Sequence, residues 1–170
     1  MALYTKTGDD GTCEFRGMRV SKASPVIEVL GSLDECASAI SAAAAFSDHL
    51  ELGQALREIL PFLTRLCGEI AGGPPADAAK QARLWEAQID RYQAVTGGFF
   101  GFSYPTSKCA VLIDFARTVA RRAERAAVKE GILGEALVAI NRLSDYLYAL
   151  SRYAEWEYEK NKNGMGHGSV

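Results

Sequence analysis

Apolar and polar residues recur along most of this chain with the period of an α-helix. Ser24-Pro25 predicts a helix start, followed from Val26 to Phe46 by a stretch rich in Ala, Leu and Ile. A second helix is predicted over about Leu50 to Ala71, with a kink or restart at Pro61. Three further helices are predicted over about Asp77 to Thr96, Ser107 to Glu130, and from after Gly134 to Lys160.

The connections between these segments are mostly short, which predicts antiparallel neighbours and an all-α fold, a five-helix bundle. Strand signals are weak, and only Leu3-Tyr4 is predicted to be extended. We expect a single domain over residues 1–160, whose N-terminal loop, residues 4–22, carries function. Residues 161–170 are Gly-rich and are predicted to form a flexible tail.

Composition narrows the class of protein. The 170 residues include 19 Lys and Arg against 21 Asp and Glu, a net charge of −2, whereas a general nucleic-acid binder carries a basic excess. No apolar run is long enough to span a membrane, and the first residues lack the pattern of a secretory signal. Four cysteines without a C-x-x-C pair predict reduced thiols in the cytoplasm, and two isolated histidines argue against a His-built metal centre.

The loop Thr5-Lys6-Thr7-Gly8-Asp9-Asp10-Gly11-Thr12 contains the residue types of an anion-binding site. Its glycines permit tight turns whose N–H groups converge, and its threonines add hydroxyl donors. Lys6, Arg19 and Lys22 add positive charge, and Asp9 or Asp10 would hold a cation beside a polyphosphate. It is not a Walker A loop, since no G-x-x-x-x-G-K-S/T sequence occurs. The alternative is an ordinary polar turn.

The segment from Arg117 to Arg125 concentrates four arginines and one glutamate in a faintly acidic chain. On a helix Arg117, Arg121, Glu124 and Arg125 share one face, because they stand at i, i+4, i+7 and i+8. Three guanidinium groups on one face repel each other unless an anion neutralises them, and a triphosphate matches their bidentate geometry. The alternative is a solvated face with Glu–Arg pairs along the helix.

Polar residues also lie beside apolar positions in the first and last helices. Asn141 and Asp145 are i, i+4 neighbours, and an unpaired polar group near the core costs about 1–3 kcal/mol. The arginine face of the preceding helix would supply their partners. Asp34 and Glu35 lie among apolar residues of the first helix, where a carboxylate would pair with an arginine and Arg117 is the natural candidate. The alternative is that such pairs only set the register of the bundle.

Aromatic residues cluster in the irregular stretch from Phe99 to Pro105, four of them in six positions. Either they plug the end of the bundle, or they line a site for a large flat ligand.

In this order, the motifs resemble those of the ATP:cob(I)alamin adenosyltransferases of the propanediol-utilisation type, over about residues 3–155. The resemblance is carried by residues 4–12 (YTKTGDDGT), 17–22 (GMRVSK), 31–35 (GSLDE), 116–125 (ARTVARRAER) and 141–145 (NRLSD). It implies a five-helix bundle that forms a homotrimer with ATP held between subunits. The implied reaction moves the 5′-deoxyadenosyl group of ATP to the Co(I) of a reduced corrinoid, giving adenosylcobalamin and triphosphate.

The resemblance also implies roles for individual residues. The nucleotide would contact the N-terminal segment at Thr5, Lys6, Thr7, Gly8, Asp9, Thr12, Cys13, Arg19 and Lys22. A neighbouring subunit would complete the site with Arg121, Arg122, Glu124, Arg125, Asn141 and Asp145. For catalysis, Arg121 would act on the triphosphate, Asp34 would pair with Arg117, and Phe102 would close the lower face of the corrinoid.

The implied cofactors and partners are ATP with Mg²⁺ as counterion, a corrinoid, a flavin-type reductase, and a B12-dependent mutase or dehydratase that uses the product. The metal ligands are unknown. No membrane or nucleic-acid partner is expected.

This sequence departs from the family pattern in three places. Cys13-Glu14 follow Thr12, Cys36-Ala37 follow the Asp-Glu pair, and Phe102-Ser103-Tyr104-Pro105-Thr106-Ser107 replaces the usual loop. The hypothesis is that turnover or corrinoid preference is altered.

Two alternatives to the enzyme are a non-catalytic carrier or sensor of ATP or adenosylcobalamin, and a structural bundle whose arginines form only salt bridges. A di-iron bundle is excluded, since no Glu-x-x-His pair occurs.

Overall fold

The computed structural model describes residues 4–98, 101 and 104–165, and within them the chain forms a helical bundle with one short hairpin. The helices are α1 (Pro25–Ala45), α2 (Leu50–Ile70), α3 (Ala78–Thr96), α4 (Lys108–Glu130) and α5 (Glu135–Met165). The hairpin precedes them and consists of β1 (Thr12–Phe15) and β2 (Met18–Ser21). The predicted all-α five-helix bundle is confirmed.

The five described helices begin at, or one residue after, the positions that the sequence predicts, and three of them have Ser or Asp at the N-cap. Ser24, Asp77 and Ser107 stand at the N-caps of α1, α3 and α4, and Pro25 takes the first helical position of α1, where its missing N–H has no partner to lose. None of the three side chains makes a capping hydrogen bond, however. These three predicted helix starts are therefore confirmed without help from side-chain capping.

Helix α2 passes through Pro61 without a restart and runs from Leu50 to Ile70. A proline inside a helix removes one hydrogen bond and crowds the carbonyl four residues earlier, which is why the sequence predicts an interruption. Pro61 is exposed, while Ile59 and Phe62 on either side of it are buried. The continuous apolar face therefore outweighs the local cost of the proline.

Helix α4 is held between α1 and α5 by small side chains. Its buried residues include Ala110, Ala116, Ala120, Ala123 and Ala127. Small residues allow neighbouring helices to approach closely, and larger side chains such as Leu33 of α1 and Leu147 of α5 are fully buried around them. This packing fixes the helix that carries the arginine segment.

An aromatic cluster joins α2, α3 and α5. The rings of Phe62 and Trp85 meet edge to face with 5.1 Å between centroids, and Trp85 stacks on Tyr146 at 5.8 Å. Pairs of this geometry add stabilisation beyond the apolar area that they bury. The cluster therefore attaches α3 to the rest of the bundle.

The hairpin contradicts the prediction that no strand follows Tyr4. Strands β1 and β2 pair antiparallel, with Thr12 opposite Ser21 and Phe15 opposite Met18. Each has four residues, too few for a period-two pattern to stand out, and most of their side chains are polar or exposed. Tyr4 lies outside these strands, and Leu3 lies outside the described residues.

Helix α5 continues to Met165, beyond the predicted end near Lys160, so the first residues of the predicted tail are helical. Residues 166–170 lie outside the described residues. Among the helices that the structure describes, none is both long enough and apolar enough to cross a membrane.

Candidate active site

Asp10 organises the N-terminal loop from within. Its Oδ1 accepts hydrogen bonds from the Thr12 amide at 3.0 Å and the Thr12 hydroxyl at 2.7 Å. Arg19 Nη2 donates to both carboxylate oxygens, at 3.1 and 2.9 Å. The Thr12 donors first, and then Arg19, hold the pKa of Asp10 below its ordinary value. The Asp10 carboxylate is therefore occupied by contacts that hold the loop together. Asp9 is exposed, so its carboxylate is the more available of the two for a bound cation.

Lys22 closes the loop onto the hairpin. Its Nζ donates to the Gly8 carbonyl at 2.7 Å, and its backbone amide donates to the Gly11 carbonyl at 2.9 Å. A Cβ on Gly8 would lie 2.8 Å from Lys22 Nζ and 3.1 Å from the Thr12 carbonyl oxygen, so a larger residue there would displace the lysine side chain. The loop is thereby folded into a compact turn with the lysine at its base.

The other predicted residues of the segment line the same turn. The hydroxyls of Thr5 and Thr7 lie 2.8 Å apart in a hydrogen bond. Lys6 between them is exposed, with φ of 60°, and Cys13 is half-buried at the start of β1. Threonine hydroxyls, a lysine and closely spaced amides are the donors that a polyphosphate uses.

The arginines of α4 divide into paired and unpaired groups. Arg122 forms an ion pair with Glu35 of α1, and its Nε lies 3.4 Å from Ser32 Oγ. Arg117 Nε donates to Asp114 Oδ1 at 2.7 Å on its own helix. Arg121 and Arg125 are exposed, and within the described residues neither has an ion-pair partner. Since they stand four residues apart, they present two adjacent free guanidinium groups.

The predicted partners of Asn141 and Asp145 are wrong. Asn141 Nδ2 donates to Glu124 Oε1 at 2.7 Å, so its partner on α4 is the glutamate and not an arginine. Asp145 accepts from Arg142 Nη1 at 2.5 Å, and Arg142 Nε reaches Glu86 of α3 at 2.9 Å. Asp145 therefore lies toward α3, which the spacing along one helix does not reveal.

Asp34 and Arg117 do not pair within one chain. Asp34 is exposed, and it lies near α2: the pKa of the Cys67 thiol is raised by burial and then by the negative charge of Asp34. Arg117 lies on the side of α4 that faces α5, because Glu124, seven residues later on the same face, contacts Asn141. Of the predicted pair Asp34-Glu35, the carboxylate that contacts α4 is that of Glu35, and its partner is Arg122 and not Arg117.

The C-terminal end of the aromatic loop is held by Glu155, which sequence reasoning missed. This side chain is 6% exposed. Its Oε1 accepts from the Thr106 amide at 2.9 Å and the Thr106 hydroxyl at 2.5 Å, and Oε2 accepts from the Ser107 amide at 2.9 Å. Burial raises the pKa of Glu155, but these hydrogen bonds outweigh it and keep the pKa below its ordinary value. The available signal in the sequence was a carboxylate between the apolar residues Ala154 and Trp156 of α5.

Phe102 lies outside the described residues, as do Phe99 and Phe100. Of the loop's described residues, Gly101 accepts a hydrogen bond from Tyr148 Oη at 2.8 Å, and Tyr104 is exposed.

Within the part of the chain that the structure describes, the two halves of the predicted site do not contact each other. Among the described contacts, none joins the loop of residues 4–12 to Arg121 or Arg125. The described residues also contain no group of three or more His, Cys, Asp and Glu side chains arranged to hold a metal ion.

Comparisons with known proteins identify the family. The cobalamin adenosyltransferase family model matches residues 3–154. The corrinoid adenosyltransferase PduO of Salmonella typhimurium is 40% identical over 168 residues, which cover 89% of this chain and 49% of that protein. The corrinoid adenosyltransferase of Bacillus subtilis is 36% identical over 167 residues, covering 89% of this chain and 86% of that protein. This chain spans about half the length of the Salmonella protein and of its Citrobacter freundii counterpart, of which 52% is covered.

A solved structure agrees with these matches. A variant of the PduO-type ATP:corrinoid adenosyltransferase of Lactobacillus reuteri, complexed with cobalamin and ATP, superposes with a TM-score of 0.84. It is 28% identical, and the superposition covers 93% of this chain and 96% of that one. Because the family model and these relatives match nearly the whole bundle, this chain belongs to the cobalamin adenosyltransferase family.

Proposed function

We propose that this chain transfers the 5′-deoxyadenosyl group of ATP to the Co(I) of a reduced corrinoid, giving adenosylcobalamin and triphosphate. The observation that carries the proposal is the pair of exposed guanidinium groups of Arg121 and Arg125, which have no ion-pair partner among the described residues and stand on a closely packed helix. Arginines without a protein partner are suited to a polyanionic ligand. The names of the relatives and the ATP and cobalamin complex in Lactobacillus reuteri support the same reaction.

The chemistry requires little of the protein beyond position and charge. The Co(I) electron pair attacks C5′ of ATP, the cobalt–carbon bond forms, and the C5′–O bond breaks with its electrons on the triphosphate oxygen. Because the substrate itself is the nucleophile, no protein base is needed. Arg121 and Arg125 stabilise the developing negative charge of the leaving group, and Thr5, Lys6, Thr7 and Lys22 hold the phosphates in place.

The residues present fit magnesium bound mainly through ATP. Mg²⁺ is commonly held by one or two carboxylates together with phosphate oxygens and water. Since the Asp10 carboxylate is bonded to Thr12 and Arg19, Asp9 would be the protein ligand, and the phosphates would provide most of the others.

We further propose a homotrimer with ATP between subunits. The loop and the free arginines have no described contact within one chain, and Asp34 and Arg117 lie on opposite sides of α1 and α4. Both arrangements become functional if the neighbouring subunit supplies the other half, with Asp34 of one chain pairing with Arg117 of the next. The four free thiols support a cytoplasmic location, where a flavin-type reductase would supply Co(I) and a B12-dependent mutase or dehydratase would take up the product.

The corrinoid half of the site is the less typical one. We propose that Phe102 closes the lower face of the corrinoid, and that the altered loop from Phe102 to Ser107 changes turnover or corrinoid preference. Kinetic constants measured with cobalamin and with cobinamide test this proposal. It would be contradicted if both sets of constants equalled those of relatives that have the usual loop.

The reaction itself is tested with chemically reduced cobalamin and ATP. We expect a spectral change as the cobalt–carbon bond forms, and one triphosphate released per adenosylcobalamin. ATP binding without formation of adenosylcobalamin would contradict the proposed reaction and favour a non-catalytic carrier or sensor of the same fold. No rise in melting temperature at millimolar ATP would contradict nucleotide binding altogether and favour the structural alternative.

A further inference from the structure

We propose that Arg16 is a positioning residue that anchors the β1–β2 hairpin, and with it the N-terminal loop, to the C-terminal end of α2. The proposal rests on the proposed function, because the loop that Arg16 positions is the proposed phosphate site. Arg16 lies at the tip of the hairpin, at the opposite end from that loop.

The end of α2 offers a carbonyl that suits an arginine. The chain leaves the helix in a Schellman turn, in which the Gly73 amide donates to Gly68 and the Gly72 amide donates to Glu69. The next carbonyl, that of Ile70, accepts from Arg16 Nη2 at 2.6 Å. The last turn of α2 contains no basic residue, so Arg16 provides the positive charge that the negative end of a helix dipole favours.

The surroundings of this contact are shaped to admit the arginine side chain. Gly72 has φ of 96°, and a Cβ placed on it would lie 3.3 Å from Arg16 Nε and 3.4 Å from its Cγ. The guanidinium also lies over the Phe15 ring at 5.3 Å from the centroid, and Phe15 packs against the core. Two adjacent residues of the hairpin thus hold its tip to the bundle.

The hairpin turn alone does not explain an arginine at this position. Arg16 and Gly17 have φ of 50° and 76°, so both central residues are left-handed, as a type I′ turn requires. Asn, Asp and Gly adopt this conformation readily, whereas a long side chain without a local hydrogen bond is disfavoured in it. The contact with Ile70 compensates for the unfavourable backbone conformation.

The anchored hairpin in turn places the loop. At the other end of the hairpin, Lys22 donates hydrogen bonds to the carbonyls of Gly8 and Gly11, and Arg19 of β2 forms an ion pair with Asp10. Every described hydrogen bond that fixes the loop therefore comes from the loop itself or from the hairpin region, so releasing the tip allows the phosphate-binding groups to move relative to α1.

The substitution Arg16→Asn separates the anchor from the turn. It gives the turn an Asn-Gly pair, the preferred type I′ sequence, but removes the guanidinium. We expect the KM for ATP to rise about tenfold and kcat to change less than about twofold, as for a lost charge-assisted hydrogen bond that acts on binding alone. Arg16→Lys, which retains a cationic donor, should restore the KM to within about threefold of wild type. Arg83→Asn, at an exposed arginine of α3, controls for lost charge.

Hydrogen exchange of the hairpin amides without ATP gives a second readout that is independent of turnover. We expect faster exchange over residues 12–21 in Arg16→Asn and unchanged exchange in Arg83→Asn. An unchanged KM, or a fall in kcat without a change in KM, would overturn the positioning role, as would unchanged exchange. If the wild-type protein makes no adenosylcobalamin while exchange still rises in Arg16→Asn and ATP binding by calorimetry weakens, the anchor stands and the proposed reaction fails.

Discussion

Arg121 and Arg122 are neighbours in the chain with different surroundings. Arg122 reaches α1, where it pairs with Glu35, while Arg121 is exposed and has no ion-pair partner among the described residues. A step of one residue turns a helical side chain by about 100°, so the two serve different purposes. Arg122 contributes to holding α4 on α1, and Arg121 remains available for a ligand.

Arg121→Ala should therefore separate activity from stability. We expect kcat/KM to fall at least about a hundredfold, because a charge that meets the leaving triphosphate is lost. The free energy of unfolding should change by less than about 0.5 kcal/mol, since the side chain is exposed and unpaired. Kinetics of adenosylation and urea unfolding provide the two measurements, with Arg83→Ala as the matched control. Turnover close to wild type would show that the assigned site is wrong.

Glu155 should make stability depend on acid pH. Its pKa in the folded protein is lowered, so its contribution is complete above the unfolded pKa of about 4.3 and is lost as the pH falls through the folded value. Glu155→Gln should lower the free energy of unfolding at pH 7 by about 1–3 kcal/mol. The difference in this free energy between the variant and the wild type should become smaller as the pH falls from about 5 to about 3.

Urea unfolding at a series of pH values measures this effect of Glu155. The control is Glu159→Gln, at an exposed glutamate one turn later on α5. A difference between Glu155→Gln and wild type that stays constant with pH would contradict the assigned role.

At the scale of elements, packing overrides local preference in α2. The helix continues through Pro61 because its buried face is apolar on both sides of the proline. The hairpin is the reverse case: its strands have weak local signals, and contacts with the bundle through Phe15 and Arg16 hold it. In both elements, the surrounding helices decide what the local sequence leaves open.

Pro61→Ala should stabilise the protein. The substitution restores a helical amide and removes the clash of the ring, an effect of about 3 kcal/mol, which the greater entropy of the unfolded chain offsets by up to about 1 kcal/mol. We expect a net gain of about 2–3 kcal/mol in the free energy of unfolding. Thermal and urea unfolding test this, and a lower melting temperature would indicate that the fold depends on the proline.

At the scale of the whole molecule, the proposed site needs two chains. Within one chain, no described contact joins the loop with Lys22 to the free arginines of α4. If each site combines the loop of one subunit with α4 of the next, inactive variants of the two halves should complement each other.

Lys22→Ala and Arg121→Ala should each be nearly inactive, while hybrids assembled from equal amounts of both should regain activity. In randomly mixed closed rings, about a quarter of the sites combine an intact loop with an intact α4. We therefore expect about a quarter of the wild-type turnover after co-expression, and none when the separate variants are mixed without subunit exchange. Activity no higher than that of the parents would place both halves in one chain.

The sequence by itself was sufficient to predict the helices, because their apolar periodicity is local and each helix is 19 to 31 residues long. It also identified the segments that carry the family's motifs, since these are short runs of residue types with defined chemistry, such as Arg117 to Arg125. The hairpin and the end of α5 near Met165 were missed for the same local reason: four-residue strands and a polar helix end carry little periodic signal.

Only the tertiary structure decided which side chains meet. Residue spacing places Asp34, Asn141 and Asp145 on helix faces, but the rotation of each helix against its neighbours selects their partners. That rotation places Arg122 in an ion pair with Glu35 and Asn141 in a hydrogen bond with Glu124. It leaves Arg121 exposed and without an ion-pair partner among the described residues. The tertiary fold also brings Arg16 of the hairpin to the Ile70 carbonyl, 54 residues away in the chain. It brings Glu155 to Thr106 and Ser107 before α4, which are 49 and 48 residues away. Such contacts depend on the packing of the whole bundle, so local patterns in the chain mark side chains that need a partner but do not identify the partner.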